Sequence, residues 1–220
     1  MDEKLATLAE YVTAALPGAV SGHDIRYGEL CVQVERDRLL EALKFLRDDP
    51  NCRFTILCDI CGADYPDRVE RFDVVYNMLS ISLNQRIRLK VRTDEEQPVP
   101  SATGLFSCAG WWEREAWDLY GIYFSDHPDL RRILSDYGFE GHAMRKDFPL
   151  TGYVEVRYDE DEKRVVYMPV KLKQEFRAFD FLSPWEGMDH ILPGDEKASG
   201  GVPAENAPGN APGAPGKGPA

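Results

Sequence analysis

The chain has 220 residues, with 38 acidic and 26 basic side chains and a formal net charge of −12, a size that fits one ordinary domain plus extensions. That balance argues against nucleic acid as the main partner, because phosphate binding rests on a basic surface, and equally against electrostatic attraction to anionic lipid. No apolar run approaches the roughly twenty residues of a membrane span, and the start, MDEKLATLAE, lacks the marks of a signal peptide or transit sequence, so the cytoplasmic side is expected.

In chain order, Leu5, Leu8, Val12, Ala15 and Leu16 fall at the spacing of an amphipathic helix that Pro17 and Gly18 stop. Val20 to Val34 reads as two strands around Tyr27-Gly28, with Leu30, Val32 and Val34 alternating. Asp37 is placed to cap a second helix with Leu39, Leu43 and Leu46 on its inner stripe, closed by Asp48-Asp49-Pro50. Phe54–Ile60, Phe72–Ile81 and Gln85–Arg92 read as strands, the last two joined by a turn at Leu83-Asn84. Ser101 to Phe106 is a candidate short helix before a longer one at Trp111–Tyr120, which Gly121 ends. Tyr153–Arg157 and Arg164–Tyr167 flank the charged turn Tyr158–Lys163 as an exposed hairpin. Phe176, Phe179, Phe181 and Trp185 follow in an aromatic-spaced stretch, and Pro, Gly, Ala and Asn dominate after about Gly187. The expected fold class is α+β: a small mixed, mostly antiparallel sheet with helices on one face, followed by a long irregular C-terminal extension. Residues 1–93 form the α+β domain, 94–123 the connecting helices that complete it, 124–186 an extended segment with a hairpin, and 187–220 a flexible tail.

The stretch Glu113–Thr151 organises the rest. After the helix, about twenty-five residues show no regular period, are punctuated by Pro128, Gly138, Gly141 and Pro149, and are dense in aromatic, Leu, Arg, His and Asp side chains. Irregular segments of that length inside a domain point to function or disorder, and disorder does not suit so many bulky apolar groups. Such a segment needs a surface to lie on.

Candidate chemistry is thin. Cys58 and Cys61 have the spacing of a zinc or redox pair, but they fall in an expected strand that turns them to opposite faces, and no second pair completes four ligands. The odd count of five cysteines suits a reducing compartment. His127 and His142 lie among Asp126, Asp129, Asp136, Glu140 and Asp147, a set that serves acid–base catalysis or metal binding, although hydrogen bonding an irregular backbone is the commoner use. No serine elbow, HExxH or Gly-rich phosphate loop accompanies them. Arg86, Arg88, Lys90 and Arg92 occupy one face of a strand. They read equally as a site for phosphate or an acidic partner and as a solvent face charged against edge pairing. Arg131, Arg132, Arg145 and Lys146, beside acids and with Trp111, Trp112, Trp117, Tyr120, Tyr137 and Phe139, have the composition of an interface core.

The same residues carry a resemblance. Glu113-Arg-Glu, Trp117-Asp118, Gly121-Ile122, the runs His127–Leu134, Asp136–His142, Arg145–Gly152 and Glu155–Tyr158, and later Gln174–Arg177 and Phe179–Glu186, resemble the signature of one family: the 30-kDa subunit of proton-pumping NADH:quinone oxidoreductase, respiratory complex I. The likeness covers roughly residues 1–186 and is most specific after Trp111; Asp126 stands where the family commonly has Gly. The resemblance implies a non-catalytic subunit of the peripheral arm that packs against the 49-kDa-type quinone-site subunit and wraps neighbours with its C-terminal stretch. FMN and iron–sulfur clusters would lie in partner subunits, with no cofactor, metal or catalytic residue in this chain. It implies peripheral attachment at the cytoplasmic face of a bacterial inner membrane, through the complex alone. It marks Glu113, Arg114, Trp117, Asp118, Gly121, His127, Arg131, Arg132, Tyr137, Gly141, His142, Arg145, Lys146, Asp147, Pro149 and Trp185 as interface or structural residues. The alternative is an independent enzyme using His127 or His142 with neighbouring acids or a metal at Cys58 and Cys61.

Overall fold

The computed structural model describes residues 2–174. The aromatic-spaced stretch with Trp185 and the Gly/Pro-rich tail lie outside them, and the features below belong to the compact unit Met1–Val170.

Helix α1 (Asp2–Ala15) buries Leu5, Leu8, Ala9 and Val12, one stripe at three- and four-residue spacing. Strands β1 (Val20–Arg26) and β2 (Glu29–Val34) close a hairpin through Tyr27 and Gly28. Both turn residues take positive φ, 53° and 75°, the backbone that matches the twist of a two-residue hairpin. Helix α2 (Leu39–Asp48) buries Leu39, Ala42, Leu43 and Leu46 as expected. Its start differs from the expectation: Asp37 lies inside a single 3-10 turn, Arg36–Arg38, and makes no cap bond. The first-turn carboxylate of Glu41 is taken by the fork of Arg38 at 2.5 and 2.8 Å instead.

Strand β3 (Ile56–Asp64) begins two residues later than expected and runs four further, with a bulge between Leu57 and Asp59 that leaves Cys58 out of the ladder. Strands β4 (Phe72–Ser80) and β5 (Gln85–Thr93) pair from Phe72–Thr93 to Ser80–Gln85. Their connection is therefore the four residues Ile81–Asn84 rather than a tight Leu83-Asn84 turn, with Asn84 at φ 50°. The sheet order is β1-β2-β5-β4-β3; β2 and β5 run parallel and every other neighbouring pair antiparallel. The chain is thus α+β with a mixed, mostly antiparallel sheet.

Because side chains alternate, the register sorts the sheet into two unlike faces. Leu30, Val32, Phe72, Val74, Tyr76, Met78, Ile87, Leu89 and Val91 share one face, and they join the buried residues of α1 and α2 in one core. The other face carries the cationic row of β5.

Helix α3 (Ala109–Tyr120) starts two residues before Trp111 and packs on β3. The expected short helix at Ser101–Phe106 is a set of turns, because Glu113 captures the Ser101 hydroxyl and the Ala102 N–H. A two-residue parallel ladder of β6 (Val99–Pro100) with β7 (Phe124–Ser125), which no periodicity announces, ties the two flanks of α3 together. Residue Asp126 follows it at φ 59°, a left-handed conformation that Asp adopts more readily than most non-glycine residues. The hairpin β8 (Val154–Asp159) and β9 (Arg164–Pro169) is a separate two-stranded sheet.

Candidate functional site

The site grows from the C-terminal half of α3. A helix leaves its last carbonyls without partners, and here the irregular segment supplies them. Gly121, at φ 78°, donates its N–H to Trp117 O at 2.8 Å. His142 Nδ1 meets Asp118 O at 2.9 Å, Met144 N–H reaches Leu119 O at 3.0 Å, and Arg145 Nε donates to Tyr120 O at 2.6 Å. The two cations Arg132 and Arg145 thereby sit at the negative end of the helix dipole. Any side chain at Gly121 would meet Arg145 Nη2 at 2.5 Å and the His142 ring at 2.7 Å.

Asp118 is the knot. Its fully buried carboxylate accepts backbone N–H groups from Ile133, Leu134 and Ser135 at 3.0, 2.7 and 2.8 Å on one oxygen, and Arg132 Nη1 at 2.8 Å on the other. Burial alone would raise the Asp118 carboxyl, but the bonds from Ser135, Arg132 and Leu134 outweigh it and hold it well below the usual carboxylate range. Arg132 lies 5.7 Å from the rings of both Trp117 and Phe139 and donates to Gly141 O at 3.0 Å. Arg114, buried on α3, donates to the carbonyls of Arg131 and Arg132 at 3.0 and 2.9 Å.

Toward the start of α3, Glu113 accepts Ser101 Oγ–H at 2.6 Å and Ala102 N–H at 2.7 Å. Burial pushes the Glu113 carboxyl up, while those two bonds and nearby His127 pull the other way. His127 accepts the Asp129 N–H on Nδ1 at 3.0 Å, which leaves the proton on Nε2 to be donated to Gly110 O at 3.0 Å. A third cluster fastens the segment to the sheet domain: Arg71 forks onto Asp64 at 2.6 and 2.8 Å and also reaches Glu95 at 3.3 Å and Asp147 at 3.0 Å. Arg145 joins Glu95 at 3.0 Å, and the Lys146 N–H donates to Asp64 at 2.7 Å.

These bonds bring most of the sequence-marked residues together, but they do not assemble a catalyst. His127 serves the N-terminal end of α3 and His142 its C-terminal end, about 12 Å apart along the axis at 1.5 Å per residue. Burial depresses the His142 imidazole, and Arg145 and Arg132 depress it further against the pull of the Asp118 carbonyl. Cys61 faces the other side of β3 from Ile60, and burial and Asp59 raise its thiol, the direction that disfavours the thiolate. Among the described residues no three His, Cys, Asp or Glu side chains converge as a metal would require. Of the remaining marked residues, Arg131 pairs with Asp129 at 2.9 Å, Pro149 accepts the Gly152 N–H at 2.9 Å, and Tyr137 is 97% exposed. The sequence reading does not include the contributions of Asp64, Arg71, Glu95 and Ser101: each precedes the segment, and no local pattern pairs it with a partner there.

What faces outward is apolar. Leu134, Tyr137, Leu150 and Tyr153 stand exposed along the segment. In the hairpin, Val156 lies opposite Tyr167 and Tyr158 opposite Val165, so these four share one face with Val154, and each is 55–57% exposed. The opposite face carries half-buried Glu155, Asp159, Val166 and Met168 beside exposed Arg157 and Arg164. Tyr167 Oη donates to Asp136 and fixes the hairpin to the segment.

Fold and site together define a chain that presents surface: an α+β domain whose helix end and one loop hold an irregular arm with its apolar groups turned out. The family described as respiratory-chain NADH dehydrogenase, 30 kDa subunit, matches residues 32–154, and the chain belongs to it, as a 30-kDa-type subunit of respiratory complex I. The equivalent NADH-quinone oxidoreductase subunit of Azorhizobium caulinodans is 62% identical over 208 residues, 94% of this chain and 99% of its own. That of Mesorhizobium japonicum is 63% identical over 198 residues, 90% and 98% of the two chains. A chain in the structure of the membrane-bound sulfane sulfur reductase, an archaeal respiratory membrane complex, superposes with a TM-score of 0.59, covering 74% of this chain and 99% of its own. At 22% identity that likeness is one of fold. No helix among the described residues is long and apolar enough to cross a membrane.

Proposed function

We propose that this chain is a non-catalytic structural and assembly subunit of the peripheral arm, packed against the 49-kDa-type quinone-site subunit at the cytoplasmic face of a bacterial inner membrane. FMN and iron–sulfur clusters in partner subunits carry electrons from NADH to quinone, coupled to proton translocation; this chain contributes none of those groups. The single observation that carries the reading is the hairpin's exposed apolar face. Isolated two-stranded hairpins are marginal in water, and this one turns Val154, Val156, Tyr158, Val165 and Tyr167 to solvent on one face, each more than half exposed. Such a face is stable when a neighbour covers it. Arg114, Arg132 and Arg145 spend their donors inside the chain, so the contact falls to the apolar groups that they hold in place.

The test replaces Val156 and Val165 by Asp in the intact oxidoreductase. Both are surface residues of the free chain, so its fold should change by less than about 0.5 kcal/mol. Co-purification with the 49-kDa-type subunit and NADH:quinone activity should both be lost. Normal co-purification with a folded variant would overturn the proposal.

A further inference from the structure

We infer that the open face of the five-stranded sheet is a second docking surface, filled by an acidic, extended segment of a neighbouring subunit; this rests on the assembly reading above. Arg86, Arg88, Lys90 and Arg92 follow one another on this face at alternate positions of β5, so neighbouring cations stand about 6.7 Å apart. The row has two readings in the sequence, and the topology removes one of them. Charges that discourage edge pairing belong on edge strands. β5 is the central strand, bonded to β2 on one side and β4 on the other, while the edges are β1 and β3. The cations therefore protect no edge.

They are also left over after the chain's own pairing. Among the described residues, the row makes one ion pair, Arg88 with Glu29 at 2.8 Å. The carboxylates that the neighbouring strands place on this face have other partners: Asp24 pairs with Arg26 at 2.5 Å, Asp73 with Arg68 at 3.2 Å, and Asp59 accepts from Asn77 at 2.7 Å. Among the described residues, that leaves Arg86, Lys90 and Arg92 without a carboxylate within 4 Å, on a molecule of net charge −12. A hollow of about 230 Å³ beside Lys90 and Arg92 also takes in Gln33 and Arg36, with Glu35 and Glu70 among its walls.

The chemistry selects the occupant. A neutral cover would strip water from these cations and return no counter-charge, which is unfavourable. Carboxylates at alternate positions of an extended chain repeat at the spacing of the row. Val75 and Leu79 lie across from Lys90 and Arg86, so the face mixes apolar and cationic groups as protein interfaces do. The negative surround repels large polyanions, which disfavours lipid surfaces and nucleic acid.

A carbodiimide, which joins an amine directly to a carboxylate, tests this in the purified intact complex. Lys90 should link to an Asp or Glu of another subunit, identified by mass spectrometry. Lys90→Arg should abolish the link while the complex still assembles. Joint Arg86→Glu, Lys90→Glu and Arg92→Glu replacement should weaken retention of this chain in the complex on the order of tenfold or more, because like charges then face each other. Links confined to this chain's own carboxylates, no link at all, or anionic lipid found bound at the row would overturn the inference. A chain that never enters the complex would instead defeat the assembly reading, so the two failures are distinguishable.

Discussion

Changing Asp118 to Asn keeps its shape and removes the charge that gathers Arg132 and three successive backbone N–H groups. Breaking one side of a buried charge pair typically costs about 3 kcal/mol or more, so the full-length variant should unfold at clearly lower urea, with protease cutting first at 130–145. Wild-type urea stability would show that the knot is not a knot. His142 gives the pH response. Its folded imidazole binds protons less readily than the unfolded one, because burial, Arg145 and Arg132 disfavour the cation. Below about pH 6.5 the unfolded chain therefore holds more protons than the folded one. Stability is full above that pH and falls as pH drops through it. His142→Gln should flatten the slope of urea midpoint against pH between about 7.5 and 5.5; an unchanged slope would assign it to another group. These roles were only partly legible in the sequence. A periodic apolar run followed by Gly121 announces a helix stop. By contrast, the partnership of Asp118 with Arg132 spans fourteen residues with no regular period, and nothing local fixes which acid such an arginine takes.

At the scale of elements, the end of α3 behaves as a socket, with Gly121 as its tightest point. Alanine there meets both an unfavourable φ of 78° and a 2.5 Å approach to Arg145, for an expected loss of about 2 kcal/mol. The loss should appear as a lower melting temperature of the chain and as freer 142–148 amides; a melting temperature within a degree of wild type would contradict it. Elements with strong apolar periods, α1, α2, β2, β4 and β5, stand close to where the sequence places them. The misplaced ones have an identifiable competitor. Ser101–Phe106 has the composition of a helix turn, yet Glu113 takes the N–H and hydroxyl that would begin it. Strand β3 runs past Ile60 because a bulge at Cys58 resets its alternation, which a strict period of two hides.

Across the whole molecule, the sheet domain closes its own core on one face, and two features remain turned outward: the cationic row of β5 and the apolar arm that begins after Tyr120. The arm's inner side is satisfied by Asp118, Asp64, Arg71 and Glu95; its outer side is not satisfied by anything in the described chain. Composition revealed that surplus, since a segment this rich in Trp, Tyr, Leu and Arg without a period needs a surface. It did not reveal that the arginines would be consumed internally, because composition counts donors without showing where they point. Amide hydrogen exchange, measured on the free chain and on the chain within the oxidoreductase, decides the matter most directly. The expected result is that Val154–Pro169 exchanges rapidly in the free chain and becomes at least about a hundredfold slower in the complex, while β4 and β5 amides are slow in both. Equal exchange of Val154–Pro169 in the two states would contradict the partner-covered arm.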